Sequence, residues 1–249
     1  MARIAEQITI EGRNMVHDAL NSFQKIRSVQ VATASKNEPR IKEILAIANS
    51  KGVRVEFVGG ELIEKQSESG NAQGIIAFMD APEVTTLEEV LKKKREVFIL
   101  LLNRIDYEQN LGAILRSAWA AGVDAVVASP NGVHELTPVV AKVSMGAAAF
   151  VPLIGMSLFQ ALDLLERYAV RVIGVEVEMG EVYTAAKLKG PVAFLVGGEA
   201  DGLSEPLMKK CNEFVNIPMV SGVASLNVSV ASALVMFEKV RQERVYHLV

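Results

Sequence analysis

Val97-Phe98-Ile99-Leu100-Leu101-Leu102 is an unbroken apolar run that stops at Asn103. Without polar alternation, such a run predicts a strand buried on both faces, as in the interior of a parallel sheet. The sequence downstream repeats the pattern. Apolar spacing is helical over 111–121 and ends at Gly122; 125–128 reads as the next strand, before a turn at Pro130-Asn131-Gly132. Residues 158–168 read as helix, 170–177 and 192–196 as strands, 214–217 as a short strand, and 226–242 as a final helix. Strands alternating with helices predict an α/β domain on a parallel sheet over 97–249.

Upstream, the pattern changes. Val16, Leu20 and Phe23 follow Gly12-Arg13-Asn14 at helical spacing, and Ile41, Ile44, Leu45 and Ala48 form one face of a second helix. Strands are expected at 29–32, 53–57 and 75–79. Residues 1–79 thus read as a small separate α/β domain. Residues 80–96, with Pro82 and the charged end Lys92-Lys93-Lys94-Arg95-Glu96, read as a linker.

Composition narrows the function. The chain has 249 residues, half of them apolar, enough for a large core and no more than two domains. No apolar run is long enough for a membrane span, and Arg3 and Glu6 interrupt any signal core at the start, so a cytoplasmic protein is expected. The single cysteine, Cys211, excludes an internal disulfide; it and Trp119 read as packing residues. His17, His134 and His247 are scattered, so no metal site is expected. The net charge of −3 leaves any nucleic-acid affinity to local patches: Lys92 to Arg95, Lys25 with Arg27, and Arg241 with Arg244.

Three predicted strands run into polar or glycine-rich segments: Asn103 to Asn110, Gly197-Gly198-Glu199-Ala200-Asp201-Gly202, and Pro218-Met219-Val220-Ser221-Gly222 with Ser225-Leu226-Asn227. In open α/β sheets ligands bind beyond the carboxyl ends of strands, so these segments predict one shared site. No Walker loop, dinucleotide glycine pattern or Ser-His-Asp relay is present. Amide, guanidinium, carboxylate and hydroxyl groups beside glycines suit a reaction whose hard chemistry belongs to a bound cofactor. Each residue also has a structural explanation. Asn110 would cap the helix expected at Leu111, Ser225 would cap the last helix, Glu199 would favour a helix start, and Arg116 would be a surface charge.

Asn110-Leu111-Gly112-Ala113-Ile114-Leu115-Arg116-Ser117-Ala118, Leu195-Val196-Gly197-Gly198-Glu199-Ala200-Asp201-Gly202-Leu203, and Ile217-Pro218-Met219 with Ser225-Leu226-Asn227-Val228-Ser229-Val230-Ala231 resemble, in order and spacing, the three motifs of the SpoU/TrmH family of RNA ribose 2′-O-methyltransferases, in the SPOUT superfamily. The first domain resembles that family's small substrate-binding domain at Gly12-Arg13-Asn14-Met15-Val16 and Gln73-Gly74-Ile75. The resemblance implies a trefoil-knotted methyltransferase domain, S-adenosyl-L-methionine as cofactor, a homodimer that completes the active site, and structured RNA as partner. It implies Gly197, Ile217 and Leu226 as cofactor contacts, and Asn110, Arg116, Glu199, Ser225 and Asn227 as catalytic positions. A guanidinium is essentially never deprotonated, so Arg116 would stabilise a developing alkoxide and grip a phosphate, with Glu199 orienting Asn110 or Arg116.

The extra amino-terminal domain favours 23S ribosomal RNA over transfer RNA. A catalytically silent RNA-binding protein and a nicotinamide oxidoreductase are the rival classes. One departure stands out: Tyr107-Glu108 occupy the family's usual Asp-Pro positions, removing a fixed φ and adding a charge.

Overall fold

The computed structural model describes residues 7–21, 26–67, 70–80, 85–198 and 202–243. The chain divides into two compact units, 1–83 and 84–249. The first contains β1 (Gln7–Glu11), α1 (Arg13–Asn21), β2 (Ile26–Ala32), α2 (Pro39–Ser50), β3 (Arg54–Val58), α3 (Gly60–Gln66) and β4 (Ile75–Asp80). Its sheet runs β1-β4-β2-β3, with β4 antiparallel to both neighbours and β2 parallel to β3. The expected face of α2 is buried at Ile41, Ile44 and Ala48. Pro39 opens that helix, where its missing N–H costs nothing. The two amino-terminal motifs meet: Arg13 Nε donates to the Gln73 carbonyl at 3.1 Å, and Arg13 N to Gln73 Oε1 at 3.2 Å.

The second unit contains α4 (Leu87–Lys93), β5 (Phe98–Leu102), α5 (Glu108–Ala121), β6 (Ala125–Ala128), α6 (Pro138–Ser144), β7 (Leu153–Gly155), α7 (Leu158–Arg167), β8 (Arg171–Val175), β9 (Glu181–Val182), β10 (Val192–Val196), α8 (Glu205–Met208), β11 (Glu213–Asn216) and α9 (Val228–Glu243). Its seven strands run β7-β6-β5-β10-β8-β11-β9, every pair parallel. The decisive apolar run behaves as its composition requires. Phe98, Leu100 and Leu102 pack with residues of α5 and α9 on one face, while Ile99 and Leu101 pack with α4 and α7 on the other. β10 divides likewise, Phe194 to the first layer and Leu195 to the second. A strand covered on both faces has no side left for polar residues.

Part of the expected linker is a core element. Leu87, Val90 and Leu91 of α4 are buried against the sheet of the second unit, and Thr86 and Glu89 form a reciprocal capping box at its start. The flanking Glu88, Glu89, Lys92 and Lys93 hide this apolar stripe in the sequence. The basic patch there is also partly neutralised: Lys92 pairs with Glu88 and Lys94 with Asp124, each at 2.9 Å. Lys25 and Arg244 lie outside the described residues, and Arg241 pairs with Glu238 at 2.7 Å.

Lys239, on α9, is 2% exposed. Its Nζ donates to the Gly190 carbonyl at 2.9 Å, to the Leu188 carbonyl at 3.4 Å and to Glu243 Oε1 at 2.5 Å, and lies 5.2 Å from the Phe98 ring centroid. It fastens the last helix to the loop before β10. Lys239→Met keeps the aliphatic stem but leaves those acceptors without their charged donor. It should lower unfolding free energy by about 2 kcal/mol, read from the urea midpoint at constant m. An unchanged midpoint would show that water replaces the ammonium at no cost.

Candidate active site

The three loop segments converge at the carboxyl end of the parallel sheet. The first and second join at Asn103: its N–H donates to the Val196 carbonyl at 2.9 Å, and its Nδ2 to the Gly202 carbonyl at 3.3 Å. The first and third join where Asn227 Nδ2 donates to Asn110 Oδ1 at 3.1 Å. The second and third enclose a cavity of about 410 Å3, lined by Val196, Gly197, Ile217, Met219, Ser225 and Leu226 among others. That volume falls in the ~300–1,000 Å3 range of small-molecule sites. Gly197 is required by close approach: a Cβ there would lie 2.5 Å from the Gly202 carbonyl carbon.

Two caps differ from the sequence expectation. Helix α5 starts at Glu108, not Leu111, so Asn110 lies inside the first turn and Tyr107 is the N-cap. Asn110 therefore does not cap; its side chain is turned over to Asn227. Glu108 takes the first helical position, where its negative charge suits the helix dipole, so the turn forms without the proline. Ser225 does not cap α9 either. Asn227 Oδ1 accepts from Ser229 N at 2.9 Å and from Ser229 Oγ at 2.6 Å, making Asn227 the cap and leaving Ser225 in the cavity wall. Asn227 thus stabilises the last helix with its carbonyl oxygen and holds Asn110 with its amide.

Arg116 is exposed on α5, and its Nη1 donates to Met145 Sδ at 2.9 Å. It does not line the cavity among the described residues. Gly197, Ile217, Ser225 and Leu226 line the cavity, Asn110 and Asn227 are hydrogen-bonded to each other, and Arg116 reaches Met145 at the end of α6. Glu199 lies outside the described residues. Gly112, in the first motif, serves packing: a Cβ there would sit 2.7 Å from Val143 Cβ, so only glycine lets α6 lie this close to α5. Sequence reasoning missed Met145 and Glu176, neither of which falls within a motif. Cys211 is a half-buried thiol raised to about 11, chiefly by burial and further by the charge of Glu176. Trp119 stacks on Phe150, with centroids 4.4 Å apart.

With two of the loops lining a cavity and the third tied to both, the likeness to known proteins becomes specific. Residues 97–237 match the SpoU rRNA Methylase family, and residues 9–85 match the RNA 2′-O ribose methyltransferase substrate-binding family. The chain belongs to the SpoU rRNA methylase family. A curated relative from Haemophilus influenzae, the 23S rRNA (guanosine-2′-O-)-methyltransferase RlmB, is 35% identical over 212 residues, covering 83% of this chain and 86% of its own. A crystal structure of an RNA 2′-O ribose methyltransferase superposes with a TM-score of 0.73 at 30% identity, covering 96% of this chain and 89% of that one. The SpoU methyltransferase AviRb from Streptomyces viridochromogenes, solved with its cofactor AdoMet, superposes with a TM-score of 0.71 at 21% identity, covering 96% and 91%. The last likeness is one of fold. The nicotinamide oxidoreductase alternative is thereby excluded, and no helix among the described residues is long and apolar enough to cross a membrane.

Proposed function

We propose that this SpoU-family protein transfers a methyl group from S-adenosylmethionine to a ribose 2′-hydroxyl of 23S ribosomal RNA in the cytoplasm. The single observation that carries this reading is that the second and third motifs line one cavity while the first loop segment is tied to both, through Asn103 to Gly202 and through Asn110 to Asn227. The residues present fit an adenosyl group. Ile217, Met219 and Leu226 offer apolar walls for a purine, and Gly197 exposes backbone where a side chain would be excluded.

When bound, the cofactor supplies an electrophilic methyl group on a sulfonium. In-line attack on it needs alignment more than acid strength, and this is the task of the chain. Asn227 fixes Asn110 so that its amide can orient a ribose hydroxyl. Ser225 supplies a further hydroxyl at the cavity wall. Arg116 would donate to the oxygen as it gains charge and would hold an adjacent phosphate. Glu199 would orient Asn110 or Arg116.

The assembly we propose is a homodimer with a knotted catalytic domain. Val230, Leu234 and Phe237 of α9, with Tyr183 and Ser117, form an open apolar groove, and Val230 and Phe237 are each nearly half exposed. Arg116 adjoins Ser117 at its margin, which supports a site shared between subunits. The first unit would recognise structured ribosomal RNA. Mass spectrometry of ribose methylation in RNA from cells with and without the protein tests the whole reading. One 2′-O-methyl nucleotide should be missing from 23S RNA. Loss from transfer RNA alone would move the substrate there, and loss from no RNA would favour the silent RNA-binding alternative.

A further inference from the structure

Among the described residues, one charged side chain stands in the wall of the cavity, and it belongs to none of the three motifs. Glu176 follows β8 directly. Its N–H donates to the Val215 carbonyl at 3.1 Å, and its Oε1 accepts from Leu203 N at 2.5 Å. A Cβ on Gly202 would come within 2.9 Å of Oε1 and 3.2 Å of Oε2, so the glycine allows the carboxylate to lie against the turn that closes the cavity. Of the other described side chains lining the cavity, only Ser225 is polar; the rest are aliphatic, methionine or absent at glycine. Glu176 is half-buried and held by its backbone N–H and by its Oε1.

A fixed negative charge in a partly apolar cavity acts on its contents with less screening than in water. Given the methyltransferase reading above, on which this inference rests, the contents change charge during turnover. As the methyl carbon bonds to the ribose oxygen, its former bonding pair stays on sulfur and the hydroxyl proton passes to water. The sulfonium cation thereby becomes a neutral thioether. We propose that Glu176 makes the cavity selective for the cationic methyl donor over its neutral product, so that the same charge that draws in the donor loosens its remnant. Glu176 acts here as a specificity-determining residue for charge.

The test is calorimetric titration of the full-length protein and of Glu176→Gln with three ligands: S-adenosylmethionine, S-adenosylhomocysteine, and sinefungin, which carries an ammonium where the donor carries its methyl sulfonium. Glutamine retains an oxygen for Leu203 N, and the neutral ligand reports independently on whether the cavity is intact. The variant should bind both cationic ligands about tenfold more weakly, the scale of one partly screened charge pair, and S-adenosylhomocysteine within twofold of wild type. Equal losses for all three ligands, or no loss for any, would overturn the proposal. Failure of the wild type to bind any of them would overturn the methyltransferase reading itself, and this inference with it.

Discussion

Leu226→Glu should abolish measurable binding of S-adenosylhomocysteine while leaving the protein folded. Leu226 is half-buried in the cavity wall, with Val196, Ile217 and Met219 also lining it. A carboxylate there loses water whenever a purine enters and gains no cation in return, since the only other charged lining group among the described residues, Glu176, is also negative. The cost is about 3 kcal/mol or more, which weakens binding by roughly 100-fold or more. The fold tolerates the change because an empty cavity leaves the new charge in contact with solvent. Leu226→Met, which conserves volume, should retain affinity. Calorimetric titration checks both variants; unaltered affinity in Leu226→Glu would show that the cofactor binds elsewhere.

Arg116→Ala should cut kcat by roughly 100-fold or more, the usual scale for losing a donor to a developing oxyanion. The side chain is exposed and its one partner among the described residues is the thioether of Met145, a weak acceptor that costs little to leave. Such a guanidinium is held near a position without being consumed by it. Folding and cofactor affinity should be unchanged, because Arg116 does not line the cavity. Arg116→Lys should restore little, since an ammonium cannot present the planar fork that grips a phosphate and an oxygen together. Single-turnover methylation of RNA measures the effect. A kcat within a few-fold of wild type would remove Arg116 from the mechanism.

Much of the catalytic unit was legible because its strands are buried on both faces. Residues 98–102 and 192–196 are almost purely apolar, and Gly122 ends α5 in the left-handed region with φ 77°. What escaped was short or masked by charge. β7 has three residues and β9 two, too few for any periodicity to emerge. α4 hid behind its own acidic and basic flanks. The site was legible at Gly197, Ile217 and Leu226 only through their order along the chain, because each alone reads as turn, strand end or core. The caps were misplaced for a physical reason. Ser225 and Asn227 are both good capping residues, and the choice between them turns on where α9 begins, at Val228, which places Asn227 rather than Ser225 at the cap. Glu176 and Lys239 could not have been found. A glutamate after a strand and a lysine in a helix are ordinarily solvated, and only tertiary packing makes the one a cavity wall and the other a core residue.

The cavity draws every described lining residue from positions 175–231. A polypeptide emerging from the ribosome amino end first can complete the small leading unit and place β5 and β6 long before it possesses any wall of that cavity. β10 must then enter the sheet beside β5, and α9 must arrive to seat Asn227 against Asn110. Competence for the donor is therefore acquired in the closing moments of synthesis, and a prematurely terminated chain would carry an intact leading unit with no active centre.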